Sequence, residues 1–413
     1  MSGAGIISTD GTKTKTKRFK VKHPKRKLYR SSEPLLSVFM WGINHTVKEL
    51  EHVSIPVMLM PDDFRAFSKV KVDNQAFNKE NLPSHFKVKD YCPLVFRNLR
   101  ERFGIDDQDY LRSMTKDSPK PMDSPGRSGA KFYASHDKLF VIKTLTSEEV
   151  EQMHSLLKQY HPFIVERHGK TLLPQYLGMY RITVDNNECY MVVMRNIFSS
   201  HLNIHKKYDL KGSTIDREAS QKEREKDNPT FKDNDFINDG VKIHIGDEAK
   251  QKLMETLAAD VEFLAKLHIM DYSLLLGVHD CEEAEREAAE RGTVDLDGVD
   301  EEVGDEEYDS GGSGVALTPP DSPQAPSRSQ SVNGASRIDP EKDIYAIPSR
   351  STSQSREIYF LALVDVLTHY GVKKQAAKVA KTVKYGAGVD GISTAEPDQY
   401  SSRFLEFISK AIE

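Results

Sequence analysis

Residues 260–280 read DVEFLAKLHIMDYSLLLGVHD. Val261 and Leu264, preceded by Leu253 and Leu257, recur at helical spacing with Lys, Glu and Asp between them. That spacing predicts a helix over 247–268 with one apolar face. The leucines of MDYSLLLGV then predict a strand, and Asp271 stands at the junction. A carboxylate held between a rigid helix and a strand can orient an attacking hydroxyl. A second acid, Asp365, closes the apolar run of LALVDVL (361–367), where a strand at 358–364 would deliver it to a cleft. Upstream, LFVIKT (139–144) sets Lys143 on a strand, and Thr146 with Glu149 forms a capping box that opens the next helix. A strand lysine followed by two strand-end acids matches the division of labour in phosphoryl transfer: the lysine meets nucleotide phosphates, one acid positions the acceptor, the other holds magnesium. Singly, each reads equally well as an edge-strand lysine, a cap or a solvated turn acid. Their order in the chain points to chemistry.

Working outward, KFYA and LFVIKT flank the polar turn SHDK, and Tyr176–Val184 with Cys189–Met194 forms a second hairpin around Asp185-Asn186-Asn187. A dense apolar stretch begins near Leu35, and Leu94, Val95, Leu99 and Phe103 mark a helix over 91–103 that Gly104 stops. KDSPKPMDSPGRSG (116–129) reads as a loop. A small strand-rich lobe thus precedes a larger, more helical one. Residues 281–337 are acidic and then rich in Gly, Ser and Pro, which predicts disorder. Beyond them come the strand at 358–364 and a last helix after Pro397. Because the two strands ending at Val278 and Val364 flank this insert, its closure costs little if its ends already meet.

The chain has 413 residues and a formal net charge of -5, and that average conceals a division. Residues 13–30 carry ten Lys or Arg and no acid, whereas residues 282–309 carry fourteen acids against Arg286 and Arg291. Without that acidic segment the remaining chain is net +7. VKKQAAKVAKTVKYGAG (372–388) holds five lysines and no acid, with Ala376, Val379, Ala380 and Val383 on one side if helical, a membrane-facing pattern. KKYDLKGSTIDR (206–217) adds Lys211 and Arg217. Nucleic acid is not expected as a partner, since no helix-turn-helix signature, zinc ligands or RNP motif accompanies the charge. No apolar run nears the roughly 20 residues of a membrane span. A secretory signal and an N-myristoyl site are not evident. Three well-separated cysteines favour a reducing compartment. No H-E-x-x-H or G-x-S-x-G occurs.

Weaker candidates lie around the strand lysine. Gly126 and Gly129 in DSPGRSGAKF would let a turn approach phosphate oxygens, although the spacing is neither G-x-G-x-x-G nor the Walker pattern. VVMRNIF (192–198) can connect the lobes, with Asn196 offering an amide to a purine edge. Met194 and Phe198 read equally well as core residues. Thr318-Pro319 and Ser322-Pro323 read as substrates of proline-directed kinases.

Together PVMLMPDDFRAFSKVKVD, FRNLRERFGIDDQDY, FVIKT, LLPQYLGMYR, KYDLKGST, the 260–280 stretch and AKTVKYGAG resemble the phosphatidylinositol 5-phosphate 4-kinases, the type II phosphatidylinositol phosphate kinases. The resemblance covers about residues 28–280 and 338–413. It implies an α/β (α+β) bilobal fold, remotely protein-kinase-like, with an antiparallel-sheet N-terminal lobe and a mixed C-terminal lobe. The implied layout is a basic arm at 1–30, an N-terminal lobe at 31–197, a catalytic lobe at 198–280 and 338–413, and an acidic insert at 281–337. ATP and Mg²⁺ are the implied cofactors. The implied reaction transfers the γ-phosphate to the 4-hydroxyl of phosphatidylinositol 5-phosphate. Lys143 resembles the phosphate-contacting lysine, Glu149 the helix acid paired with it, Asp271 the catalytic-loop acid and Asp365 the magnesium-binding acid. Met194, Asn196 and Phe198, with Gly126 and Gly129, correspond to the nucleotide pocket. Lys211 and Arg217 correspond to the groups near the headgroup phosphate. Segment 366–392 resembles the specificity loop, in which Ala377, Lys378 and Lys381 face the lipid. Ala377 replaces the acidic residue of the 4-phosphate 5-kinases. The resemblance also implies homodimers joined through the N-terminal lobes, heterodimers with related isoforms, and a cytoplasmic enzyme docked on the cytosolic face of anionic membranes, with a nuclear pool. Two departures, Met194 where more active relatives carry threonine and an extra residue near Gly391, leave a low-activity membrane scaffold as the alternative, beside a 4-phosphate 5-kinase.

Overall fold

The computed structural model describes residues 28–73, 81–123, 129–294, 337–369 and 396–413. The N-terminal lobe runs α1 (Pro34–Glu51), β1 (Phe67–Val72), β2 (Phe86–Tyr91), α2 (Pro93–Arg102), α3 (Asp107–Thr115), β3 (Lys120–Met122), β4 (Phe132–Ala134), β5 (Phe140–Leu145), α4 (Ser147–Glu166), β6 (Tyr176–Val184) and β7 (Asn187–Arg195). Its strands form one antiparallel sheet in the order β1-β2-β6-β7-β5-β4-β3. The apolar stretch near Leu35 becomes α1, which buries Leu36, Val38, Phe39, Met40 and Ile43. At Gly42 a Cβ would stand 2.7 Å from Val88 Cγ1, so the helix lies directly on β2. Asp185 and Asn186, at φ 49° and 63°, make the left-handed turn between β6 and β7 that the sequence places there.

The C-terminal lobe continues through β8 (Lys206–Leu210), α5 (Gln221–Arg224), β9 (Thr230–Lys232), α6 (Asp233–Asn238), α7 (Asp247–Lys266), β10 (Ser273–Asp280), α8 (Cys281–Val294), β11 (Ala346–Pro348), β12 (Glu357–Val364) and α9 (Pro397–Ala411). The second sheet has the order β11-β12-β10-β8-β9, antiparallel except where β8 meets β9. Strands β10 and β12 pair along their whole length, from Ser273 opposite Val364 to Asp280 opposite Glu357. At the far end the Cys281 N–H donates to the Arg356 carbonyl at 2.9 Å. Cys281, where the acidic insert begins, and Ile338, just past its end, belong to one small apolar cluster, so its ends lie near each other, as the loop-closure argument expects.

Two local readings are corrected. Within 116–129, read as loop, Lys120–Met122 forms β3 by pairing with β4, an edge strand with no alternation to reveal it. Within 281–337, read as disordered, Cys281–Val294 forms α8. Asp280 Oδ1 accepts from the N–H groups of Glu282 and Glu283, capping that helix, and Glu285 pairs with Arg356 at 2.8 Å. The local cap and the burial of Cys281 and Ala284 thus offset the acid-rich composition. Residues 295–336, with Thr318 and Ser322, and residues 1–27 of the basic arm lie outside the described residues.

A continuous apolar core runs through both lobes, and the rings of Phe163 and Phe263 stack across them at 4.3 Å. Asp260, wholly buried on α7, accepts from Thr171 Oγ1 at 2.8 Å and the Leu172 N–H at 2.6 Å. The Leu172 carbonyl in turn accepts from the Leu363 N–H on β12 at 2.7 Å. Burial pushes the Asp260 carboxyl up to about 6, although these hydrogen bonds favour its ionised form. An unperturbed aspartate titrates near roughly 3.9. Between the two values the folded chain keeps a proton that the unfolded chain has released. Stability from this site is therefore complete below about pH 4 and is lost as pH rises through about 6. Asp260→Asn, with no such proton, should cost more relative to wild type at about pH 4.5 than at about pH 7, by on the order of 2 kcal/mol in urea unfolding. Equal costs at both pH values would contradict this linkage.

Candidate active site

Strand β5 lies between β4 and β7, with Lys143 opposite Phe132 on one side and Val192 on the other. Lys143 is thus an interior-strand residue, and the edge-strand reading falls. Its ammonium lies 3.3 Å from Glu149 Oε1 and 3.8 Å from Asp365 Oδ1. Glu149, rather than the adjacent Glu148, faces it. The same carboxylate completes the capping box: Glu149 Oε2 accepts from the Thr146 N–H at 2.8 Å, and Thr146 Oγ1 accepts from the Glu149 N–H at 3.2 Å. One side chain therefore starts α4 and holds the lysine.

The ladder between β10 and β12 ends at Ser273 and Val364, so Asp271 and Asp365 emerge at the same end of the sheet. Both adopt left-handed backbone conformations, φ 66° and 60°, which a residue with a Cβ enters at some cost. The surroundings fix them there. The Met270 N–H donates to the Thr368 carbonyl at 3.0 Å, Ile269 bridges to His369, and the Tyr400 hydroxyl on α9 donates to the Tyr272 carbonyl. Lys211, directly after β8, donates to both the carbonyl (2.7 Å) and Oδ1 (2.8 Å) of Asp271. The structure thus brings Lys143 to Asp365 and Lys211 to Asp271.

Arg217 is set between two acids. Its Nε donates to Asp233 Oδ2 at 2.7 Å, and its Nη2 donates to the carbonyl and Oδ1 of Asp209, both at 2.6 Å. Burial disfavours its charge, and the two carboxylates more than offset this, so its pKa is raised. Asp233 and Asp209 are absent from the sequence-based site, as is the contact between Lys211 and Asp271. These pairs join residues with no periodic relation, and no spacing in the sequence announces them.

In the connector, the Asn196 amide braces the backbone: Nδ2 donates to the Lys138 carbonyl at 2.8 Å, and Oδ1 accepts from the Phe198 N–H at 3.2 Å. Phe198 fills the space over Gly277, where a Cβ would approach its ring to 2.4 Å. Met194 is partly buried against the main core, opposite Val141 and Tyr176. Gly129 takes φ 71°, a conformation suited to glycine, beside β4. Gly126, Ala377, Lys378, Lys381 and Gly391 lie outside the described residues. Among the described residues no three His, Cys, Asp or Glu gather as a metal cage. Magnesium is commonly held by one or two carboxylates together with substrate phosphates. Asp365, with its side chain 60% exposed beside Lys143, fits that chemistry.

The family described as Phosphatidylinositol-4-phosphate 5-Kinase matches residues 113–411. The chain is 58% identical over 407 residues to phosphatidylinositol 5-phosphate 4-kinase type-2 alpha of Gallus gallus, covering 98% of each. It is 58% identical over 393 residues to the type-2 beta protein of Homo sapiens, covering 94% of this chain and 92% of the relative. The chain belongs to the type-2 phosphatidylinositol 5-phosphate 4-kinase family. Lys143, Asp271 and Asp365 all lie inside the broader family match, whereas α1, β1, β2 and α2 precede it and fall in the stretch shared with the type-2 relatives. The double use of Glu149 is open to test within this family fold. Glu149→Gln keeps a capping-box residue and loses the ion pair, so its thermal midpoint should stay close to wild type. Glu149→Ala loses the cap as well and should be less stable by about 1 kcal/mol. Equal midpoints for the two variants would contradict the double use.

Proposed function

We infer that this chain is an ATP- and magnesium-dependent kinase that phosphorylates the 4-hydroxyl of phosphatidylinositol 5-phosphate, giving the 4,5-bisphosphate. The observation that carries this reading is the approach of Lys143 to Asp365, with the Lys211–Asp271 pair at the same sheet end, in a chain of this family.

In this reading Lys143, held by Glu149, offers fixed positive charge to nucleotide phosphate oxygens without reorganising during the reaction. Asp271, held by Lys211, orients the acceptor hydroxyl for in-line attack and takes a hydrogen bond from it. Asp365 holds the metal. Magnesium, when bound, neutralises charge on the transferring phosphoryl group. Lys211 and Arg217 grip the headgroup phosphate, and Gly126, Gly129 and Met194 bound the nucleotide. Asn196 and Phe198 act there through the connector they brace. Ala377, Lys378 and Lys381 select the lipid.

The membrane is the acceptor's setting. No helix among the described residues is long and apolar enough to cross a bilayer, which agrees with docking from one side. The enzyme works in the cytoplasm on the cytosolic face of anionic membranes, with a nuclear pool. It assembles through its N-terminal lobes as a homodimer, or as a heterodimer with related isoforms. Strand β1 ends the large sheet, and Phe67 at its start is 55% exposed, features that support association along this edge.

The description of the broader family names the sister reaction, so one assay should address both acceptors. Purified protein with ATP and magnesium should phosphorylate vesicles carrying phosphatidylinositol 5-phosphate well above those carrying the 3- or 4-phosphate. Asp365→Asn should lower that turnover at least about a hundredfold with its unfolding midpoint retained. Preference for the 4-phosphate would assign the sister activity. Absence of transfer to every acceptor would favour the scaffold, and full turnover by Asp365→Asn would remove that residue from the mechanism.

A further inference from the structure

We propose that Asp233 is the positioning residue of the lipid-headgroup clamp, setting both Lys211 and Arg217 from beneath. The proposal rests on the lipid-kinase reading above and adds to it a residue that never meets the substrate.

The geometry divides the labour between the two carboxylate oxygens. Oδ1 accepts from three consecutive N–H groups, Lys211 at 2.9 Å, Gly212 at 2.8 Å and Ser213 at 3.3 Å. Oδ2 accepts from Arg217 Nε at 2.7 Å. The Asp233 side chain is 0% exposed. A carboxylate so placed is stabilised only by the groups it holds, and removing one of its bonds leaves a buried charge short of partners. The loop has little freedom to compensate. Gly212 sits at φ 64°, and a Cβ there would meet Phe404 Cα and Phe407 Cβ at 3.1 Å, so α9 packs directly on the loop. Asp209 holds Arg217 Nη2, which leaves Nη1 without a hydrogen bond among the described residues. With Nε and Nη2 pinned, the plane of the guanidinium is fixed and Nη1 is the group that can be turned to an anion.

Backbone capping by a buried aspartate is common and by itself structural. What separates Asp233 from a plain cap is that its second oxygen goes to a cation of the clamp, while its first fixes the residue whose ammonium holds Asp271. Neighbouring Asp235 shows the contrast: it accepts from the N–H groups of Ala219 and Lys232 and pairs with Arg224, bonding to neither Lys211 nor Arg217.

Asp233→Asn keeps an oxygen for the backbone and loses the charge that orients Arg217. Initial rates should be measured with phosphatidylinositol 5-phosphate vesicles and ATP varied separately, beside thermal melting. The expected result is a rise in KM for the lipid of about tenfold, the loss of one charge-assisted bond, with KM for ATP unchanged. In an Arg217→Ala background the same substitution should add less than about twofold, because its effect runs through that guanidinium. Should Asp233→Asn not fold, Arg217→Lys, which cannot span both carboxylates, should show the same selective rise. An unchanged lipid KM, equal rises in both KM values, or a full further rise in the Arg217→Ala background would overturn the proposal. Failure of the wild type to use any inositol lipid would instead overturn the kinase reading, and a wild type preferring another inositol lipid leaves the same comparison to be made on that lipid.

Discussion

The pairing of β10 with β12 is the constraint on which the site depends. Eight consecutive pairs, from Ser273–Val364 to Asp280–Glu357, join segments separated by the acidic insert. One end of this ladder ties Cys281, where the insert begins, to Arg356, and the other sets Asp271 and Asp365 just beyond its last pair. A slip of one residue would turn each strand over and send the acids elsewhere. The register is secured by burial: Leu274, Leu276, Leu361 and Leu363 are all 0% exposed. Against this, the ion pair of Lys143 with Asp365 contributes little of its own. It is 3.8 Å long and the acid is 60% exposed, so solvent screens it. The pair results from how the sheets are set and does not set them.

The second requirement is that the two lobes hold a common distance. Segment 171–172 serves both, since Asp260 on α7 holds its N–H side and β12 is bonded to its carbonyl. The same anchor that ties the long helix to the N-terminal lobe therefore lies two residues of strand from Asp365. The connector adds a second tie, because the Asn196 N–H and side chain both return to the turn before β5. Lys143 follows on that strand. The side chains proposed to meet the nucleotide thus share their supports.

Much of this was legible in the sequence, and the reason is periodicity. Helix α7, the capping box at Thr146 and Glu149, and the two hairpins of the N-terminal lobe each rest on contacts between near neighbours. The ordered triplet of Lys143, Asp271 and Asp365 was visible because each ends or occupies an apolar run. The rest depends on partners distant in the chain. Asp233 reaches Lys211 and Arg217, and Lys211 reaches Asp271 across the sheet, with no spacing rule to announce either. Strand β3 exists through β4, and α8 draws on Asn203 and Arg356, against local composition. The bonds by which Asn196 braces the connector likewise have no spacing to announce them.

The central claim is that Lys143 and Asp365, from different sheets, act on one phosphoryl group as a unit. A double-mutant cycle on kcat/KM for lipid phosphorylation, with Lys143→Met and Asp365→Asn, tests it most directly. Groups that act as a unit are strongly non-additive, so the double variant should be no more than about threefold slower than the slower single variant. Losses that multiply in full would show two independent contributions and contradict the shared site.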